Sequence, residues 1–292
     1  MQRGQAPFPT QRLRKQPQGR EGGLAPALFL CSPLPVNPSQ PTDADRLATR
    51  ERPAGRPIMY QKWGKLLFMH WRIDPSLLRP LIPAQLEIDT CDGSAWIGIV
   101  PFTMWGIRAS FLPAIPGTSA FHELNVRTYV RHRGVPSVWF LSLDAANRLA
   151  VWGARTFYHL PYFNAQMSLT QTGNTIRYSS MRKDRRAAPA ELQATWSIGE
   201  TLPTALPGSL DFFLTERYCL DTERNGKLCR ARIHHQPWPL RQARLVSLNS
   251  TMIESHGLPT LKGDPLLNYC EELSVDIWPL RSLQTASSVT KE

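Results

Sequence analysis

Turn signals constrain this chain more than any other feature of its sequence. Asn225-Gly226 stands between 217–222 and 227–234, and both residues tolerate the positive φ of a two-residue hairpin. Gly173-Asn174 separates 165–171 from 175–181. Cys91-Asp92-Gly93 separates 86–90 from 95–102, and Arg133-Gly134 lies at the tip between 123–130 and 137–143. The flanking segments are rich in β-branched and aromatic residues, which reads as repeated hairpins. Further strands are predicted at 66–72, 192–198 and 273–278, whereas 245–253 fits neither period. Three short helices are predicted: 76–81 with Asp74 as N-cap and Pro75 first, 148–158 capped by Asn147, and 209–216 behind Pro207-Gly208. The fold class is therefore α+β and mainly antiparallel β. A sheet this long must hide its edges. The expected architecture is a curled or closed β-barrel or double sheet with a few short flanking helices.

The 292 residues are 42% hydrophobic, enough for one sizeable core or at most two modest ones. Residues 1–58 differ from the rest. They hold 10 of the 26 prolines and nine Lys/Arg against four Asp/Glu, and they show no periodicity. Such a segment cannot bury enough apolar surface to offset chain entropy. The expected organisation is a disordered leader over 1–58, a single β-rich domain over 59–280 and a frayed tail over 281–292. The apolar run 24–31 contains Pro26, and Leu30 precedes Cys31, so it matches a cleavable signal poorly. Met59 is an alternative chain start.

Several function classes are disfavoured. Net charge is +11, with the excess spread between leader and domain, so no polyanionic partner is demanded. No run of 18 apolar residues occurs, so no spanning helix is expected. The five cysteines form no CxxC pair, which reads as isolated reduced thiols in a cytoplasmic protein. There is no phosphate loop, no HExxH and no GxSxG. His234 and His235 are adjacent on a strand and point to opposite faces, a poor pair of metal ligands. The basic run Arg182-Lys183-Asp184-Arg185-Arg186 reads as a solvated loop rather than a phosphate clamp.

One strand admits two readings. Glu123, Asn125, Arg127 and Tyr129 share a face; Leu124, Val126, Thr128 and Val130 share the other. Either the polar face meets water, or it lines a lumen in which the buried Glu123 needs a cation such as Arg127 or Arg155. His70 and Arg72 also share a strand face, with His70 read as a core histidine or a pocket residue. Asp144 reads as a helix-capping or loop-tethering residue. Trp96, Trp105, Trp139 and Trp152 read as core packing or as pocket walls.

A resemblance bears on that choice. Phe68-Met69-His70-Trp71-Arg72-Ile73-Asp74-Pro75, followed by Leu81-Ile82-Pro83-Ala84-Gln85-Leu86-Glu87-Ile88, resembles the opening of the acetoacetate-decarboxylase-like superfamily. Gly93-Ser94-Ala95-Trp96-Ile97-Gly98, with 121–130, 138–146 and 150–162 in the same order, resembles the YqjF-like family within it. The superfamily's Schiff-base lysine follows a proline in Gly-Arg-Glu-x-x-x-x-Pro-Lys. Here the segment reads Ala154-Arg155-Thr156-Phe157-Tyr158-His159-Leu160-Pro161-Tyr162. Arg155 and Pro161 match, and Tyr162 stands in the lysine's place. A phenol cannot form an imine with a ketone, so lysine-dependent decarboxylation is not available from this position.

The resemblance implies a small-molecule pocket with Glu123, Arg155 and Tyr162 as catalytic candidates and His70, Arg72, Asn125, Arg127 and Trp139 around them. A lyase or hydrolase acting on a small keto or carboxylic acid is one expectation; a non-catalytic ligand- or partner-binding module on the same fold is the other. No cofactor, metal, nucleic acid or membrane is expected. A homo-oligomer is implied by analogy with the superfamily.

Overall fold

The computed structural model describes residues 40–111, 113 and 119–283. In chain order its elements are α1 (Asp43–Ala48), β1 (Met59–Ile73), α2 (Pro75–Leu78), β2 (Glu87–Ile88), β3 (Ala95–Ala109), β4 (Phe121–His132) and β5 (Val135–Ala145). There follow α3 (Arg148–Gly153), β6 (Tyr162–Thr172), β7 (Thr175–Arg182), β8 (Glu191–Thr201) and α4 (Leu210–Thr215). The chain continues through β9 (Cys219–Arg224), β10 (Lys227–His234), β11 (Leu240–Ser250), β12 (Leu266–Ile277) and β13 (Arg281–Ser282).

The strands form one sheet in the order β13-β10-β9-β5-β6-β7-β8-β11-β12-β1-β3-β4-β2, with further pairings β4–β5 and β10–β12. Those extra pairings join strands far apart in the order, so the sheet curls into a partial ring. It is mixed: β5 runs parallel to β6 and to β9. The expected mainly antiparallel sheet with few short helices is what forms. The Asn225-Gly226 hairpin is present, with both residues at positive φ. The stretch left unassigned at 245–253 is mostly strand, within β11.

The Cys91-Asp92-Gly93 turn also forms, with an isolated Cys91–Ser94 bridge, but it does not close the expected hairpin. Both edges of β3 are taken by β1 and β4, so β2 pairs with β4 instead.

Two boundaries are corrected. The reading of 1–58 as a disordered leader fails over 40–58; residues 1–39 lie outside the described residues. Thr42 and Asp45 form a capping box that starts α1. Arg46 then reaches the interior and grips Asp89 bidentately, at 2.8 and 2.9 Å. Charge pairing, rather than apolar area, docks this segment. The frayed tail over 281–292 is likewise corrected at its start. Arg281 and Ser282 pair with β10, while 284–292 lie outside the described residues.

Two apolar layers flank the β1–β3–β4 arc. Leu67, Met69, Ile97, Ile99, Leu124 and Val126 point one way, into a core shared with Ile176, Leu192 and Trp196 of β7 and β8. Leu66, Phe68, Val100, Phe102 and Met104 point the other way, toward Ile233, Trp238 and Val275. The arc is thus covered on both faces. β7 and β8 alternate buried and more exposed residues, as half-covered strands do. Among the described residues, no helix is long and apolar enough to cross a membrane. Cys219, Cys229 and Cys270 are buried free thiols, whereas Cys91 is disulfide-bonded, which corrects the reading of five isolated thiols.

Candidate active site

The second face of the arc encloses a cavity of about 510 Å³. Its floor follows the period of two: Leu66 on β1, Val100, Phe102 and Met104 on β3, and Glu123, Asn125 and Arg127 on β4. Register brings these together, since Phe102 faces Glu123 and Val100 faces Asn125 across the β3–β4 ladder. The opposite wall comes from distant chain: Leu220, Ile233, Trp238 and Ile277. The mouth is built by α3 and the π turn Ala154–Tyr158 that continues it. Asn147 caps α3 through the Leu149 and Ala150 N–H groups. The predicted single helix over 148–158 therefore widens in its last turn. It ends at His159, at φ 53°, and Pro161 then leads into β6.

That sharp exit sets Tyr162 opposite Glu123. Tyr162 opens β6, in parallel register with Leu143 of β5. Its hydroxyl donates to Glu123 Oε2 at 2.8 Å. Glu123 is only 2% exposed. Burial pushes its carboxyl up to about 8; the Tyr162 hydrogen bond pulls back, and nearby Asp144 adds to the push. Glu123 is therefore a neutral acid at neutral pH. Burial, reinforced by Glu123, holds the Tyr162 hydroxyl well above the usual phenol range. The Tyr158 hydroxyl, also raised by burial to about 12, has no hydrogen-bond partner among the described residues.

Among the described residues, the cation expected beside Glu123 is not found. Arg155 donates to the Tyr162 carbonyl at 2.9 Å and lines a different cleft, of about 620 Å³, on the other side of Phe140 and Leu160. It braces the backbone of Tyr162 rather than the carboxyl. Trp139 lines that same second cleft and donates to the Leu81 carbonyl, so it too is removed from the Glu123 site. Arg72 is also removed: it lies half-exposed over the Trp96 ring, bonded to Ser94 and near Asp92. Arg127 does line the cavity, but its donors go to the Tyr129 hydroxyl and the Leu214 carbonyl. The structure thus brings Glu123, Tyr162, Asn125 and Arg127 to one cavity and leaves Arg155, Trp139 and Arg72 outside it.

His70 sits just behind Arg127. Its Nε2 meets the Tyr129 hydroxyl at 2.6 Å, and burial, with Arg127 and Arg217 adding to it, keeps the ring neutral. Gly98 makes room for that ring: a Cβ there would lie 2.8 Å from His70 Cδ2. Asp144 is buried in an ion pair with Arg182 at 2.9 Å. Arg182 is therefore no part of a solvated loop. Burial still lifts Asp144 to about 6 against that partner.

Trp63, Trp238, Tyr158 and Phe157 complete the cavity and were not picked out from sequence. Of the four tryptophans that were, only Trp152 lines it. Among the described residues, no group of three His, Cys, Asp or Glu could hold a metal ion.

The fold is that of the acetoacetate decarboxylase-like proteins. The enduracididine biosynthesis enzyme MppR, solved with pyruvate, superposes at TM-score 0.57 and 13% identity, over 81% of this chain and 95% of that one. An acetoacetate decarboxylase-like enzyme from Sphingomonas wittichii RW1 gives 0.52 and 11%, over 79% and 95%. Acetoacetate decarboxylase from Legionella pneumophila gives 0.50 and 14%, over 86% and 98%. At these identities the likeness is one of fold. The chain itself belongs to the DUF2071 family of uncharacterized conserved proteins, whose model matches residues 60–274. It is 47% identical over 229 residues to the uncharacterized protein YqjF of Bacillus subtilis (strain 168), covering 78% of this chain and 94% of that protein.

Proposed function

We propose that this protein binds a small carbonyl compound in the Glu123 cavity and exchanges protons with it without forming an imine. The observation that carries the reading is the Glu123 carboxyl, buried among apolar walls with its Oε2 accepting from Tyr162. A carboxylic acid kept neutral by its surroundings can donate to a carbonyl oxygen, as a general acid does. The Tyr162 hydroxyl then steadies the carboxylate left behind. Such an acid supports lyase or hydrolase chemistry beside a carbonyl group. Tyr162 itself favours a second reading: with no amine at that position, the fold can serve as a non-catalytic binding module.

Thermal shift against a panel of small keto and hydroxy acids tests the pocket. Wild type is expected to be stabilised by a carbonyl ligand, and Glu123→Gln to lose most of the shift. An undiminished shift in that variant would sink the pocket. Deuterium exchange at the carbon beside the ligand's carbonyl, followed by proton NMR, separates the two readings. Binding without Glu123-dependent exchange leaves only the binding module.

A further inference from the structure

We infer that the ligand of this cavity is a carboxylic acid with an extended apolar tail, its carboxylate facing Arg127 and its tail leaving between Leu149, Trp152 and Phe157. This rests on the proposed binding at Glu123 and adds the ligand's charge and length.

The charge follows from Arg127. Its residue is 8% exposed, and its hydrogen bonds go to two neutral oxygens, both at 3.3 Å. Among the described residues its Nε has no hydrogen-bond partner and its guanidinium forms no ion pair. The ring faces of Phe68 and Tyr129, 5.1 and 5.6 Å away, offset only part of the lost hydration. Two buried acids of this region are already engaged: Asp89 is held by Arg46 and Arg217, and Glu216 accepts from the Trp238 N–H and the Tyr218 hydroxyl. A buried guanidinium left in this state is costly, and a carboxylate is the partner its geometry suits. Asn125 adds a second open group: its Oδ1 is buried with no partner among the described residues, on the same face between Arg127 and Glu123.

The length follows from order and volume. Along β4 the polar groups run from Arg127 through Asn125 to Glu123, whose ladder partner Ala145 leads into α3 at the mouth. Each pair of residues covers roughly 6.7 Å of strand, so a ligand touching Arg127 and passing Glu123 is much longer than a four-carbon keto acid. A cavity of about 150 Å³ holds a benzene ring; this one is about 510 Å³. At its mouth Leu149, Trp152 and Phe157 are 65%, 61% and 64% exposed, yet all three line the cavity. Trp152 and Phe157 meet edge to face, with ring centroids 5.8 Å apart. Exposed apolar residues continuous with a cavity form a path for a tail.

Calorimetric titration of the full chain with butyrate, octanoate, decanoate and decanol is the test. Affinity is expected to rise about fourfold per methylene buried between butyrate and decanoate, with decanol at least about thirtyfold weaker than decanoate. Arg127→Met should bring decanoate down to decanol. Trp152→Ser with Phe157→Ser should flatten the length dependence. Equal affinity for butyrate and decanoate in wild type would overturn the tail, and equal affinity for decanol would overturn the charge; both read on wild type alone. If the double variant instead changes sedimentation and keeps the length dependence, the patch is a subunit contact and the tail route falls. A keto compound that shifts wild type through Glu123, with no aliphatic acid binding, overturns this inference and leaves the proposed function standing. No binding of either kind overturns both.

Discussion

β4 and β7 carry the same kind of alternation and meet different fates. In β7, Ile176, Tyr178, Ser180 and Arg182 turn inward while Arg177 stands in water. In β4, Leu124 and Val126 turn inward, but Glu123, Asn125 and Arg127 are buried as well, because α3, α4 and distant strands cover the second face. Alternation tells which residues share a face. It does not tell what lies over that face. The chemistry follows from the cover: Arg177 needs no partner, whereas a carboxyl on β4 must be neutral or paired.

The comparison can be broken most sharply at Asp89. Its carboxylate holds Arg46 and Arg217 in the interior and has Arg131 at 4.0 Å. Burial alone would raise its pKa, but Arg217 and Arg46 outweigh that and keep it ionised. Asp89→Asn leaves buried cations without their anion and is expected to cost about 3–5 kcal/mol. Urea unfolding measures it; a loss below about 1 kcal/mol would mean that the covered face is wet.

A pH series on Glu123→Gln sharpens the same point. The native state holds a proton up to about 8 that the unfolded chain releases near 4.5. The group's contribution to stability is therefore complete below about 4.5 and is lost as pH rises through about 8. Glutamine does not titrate. The variant should gain on wild type across that window by up to a few kcal/mol, then level off. Asp144 titrates in both proteins, and because its charge adds to the Glu123 shift the difference reports on the pair. A pH-independent difference would place the Glu123 carboxyl in contact with water.

Arg177→Ala gives the smallest effect. On the open face of β7 it should change stability by no more than about 0.5 kcal/mol. A larger loss, measured in the same urea titration, would show that β7 too is covered.

Much of this was legible in the sequence. The hairpins at Asn225-Gly226 and Arg133-Gly134, the caps at Asp74 and Asn147, and the two faces of β4 follow from local stereochemistry. The resemblance singled out Tyr162 and Glu123, which the structure brings within hydrogen-bond distance. What could not be read was which long side chain turns which way. Arg155 lies seven residues before Tyr162 and goes to its backbone carbonyl, not to Glu123. Arg46, within a segment read as disordered, is a core residue. Composition undervalues such a segment because a single bidentate ion pair leaves no periodic trace.

By itself, then, the sequence determined the hairpins, the short capped helices and the absence of an amine beside Pro161. These depend on φ preferences and functional groups carried by the residues themselves. Only the tertiary structure decided that the hairpins curl into one partial ring, that β4 is covered twice, and that Glu123 meets Tyr162 and, among the described residues, no cation. Those outcomes depend on desolvation by residues as remote as Trp238 and Ile277. Burial is a property of everything packed around a group, and no local pattern encodes it.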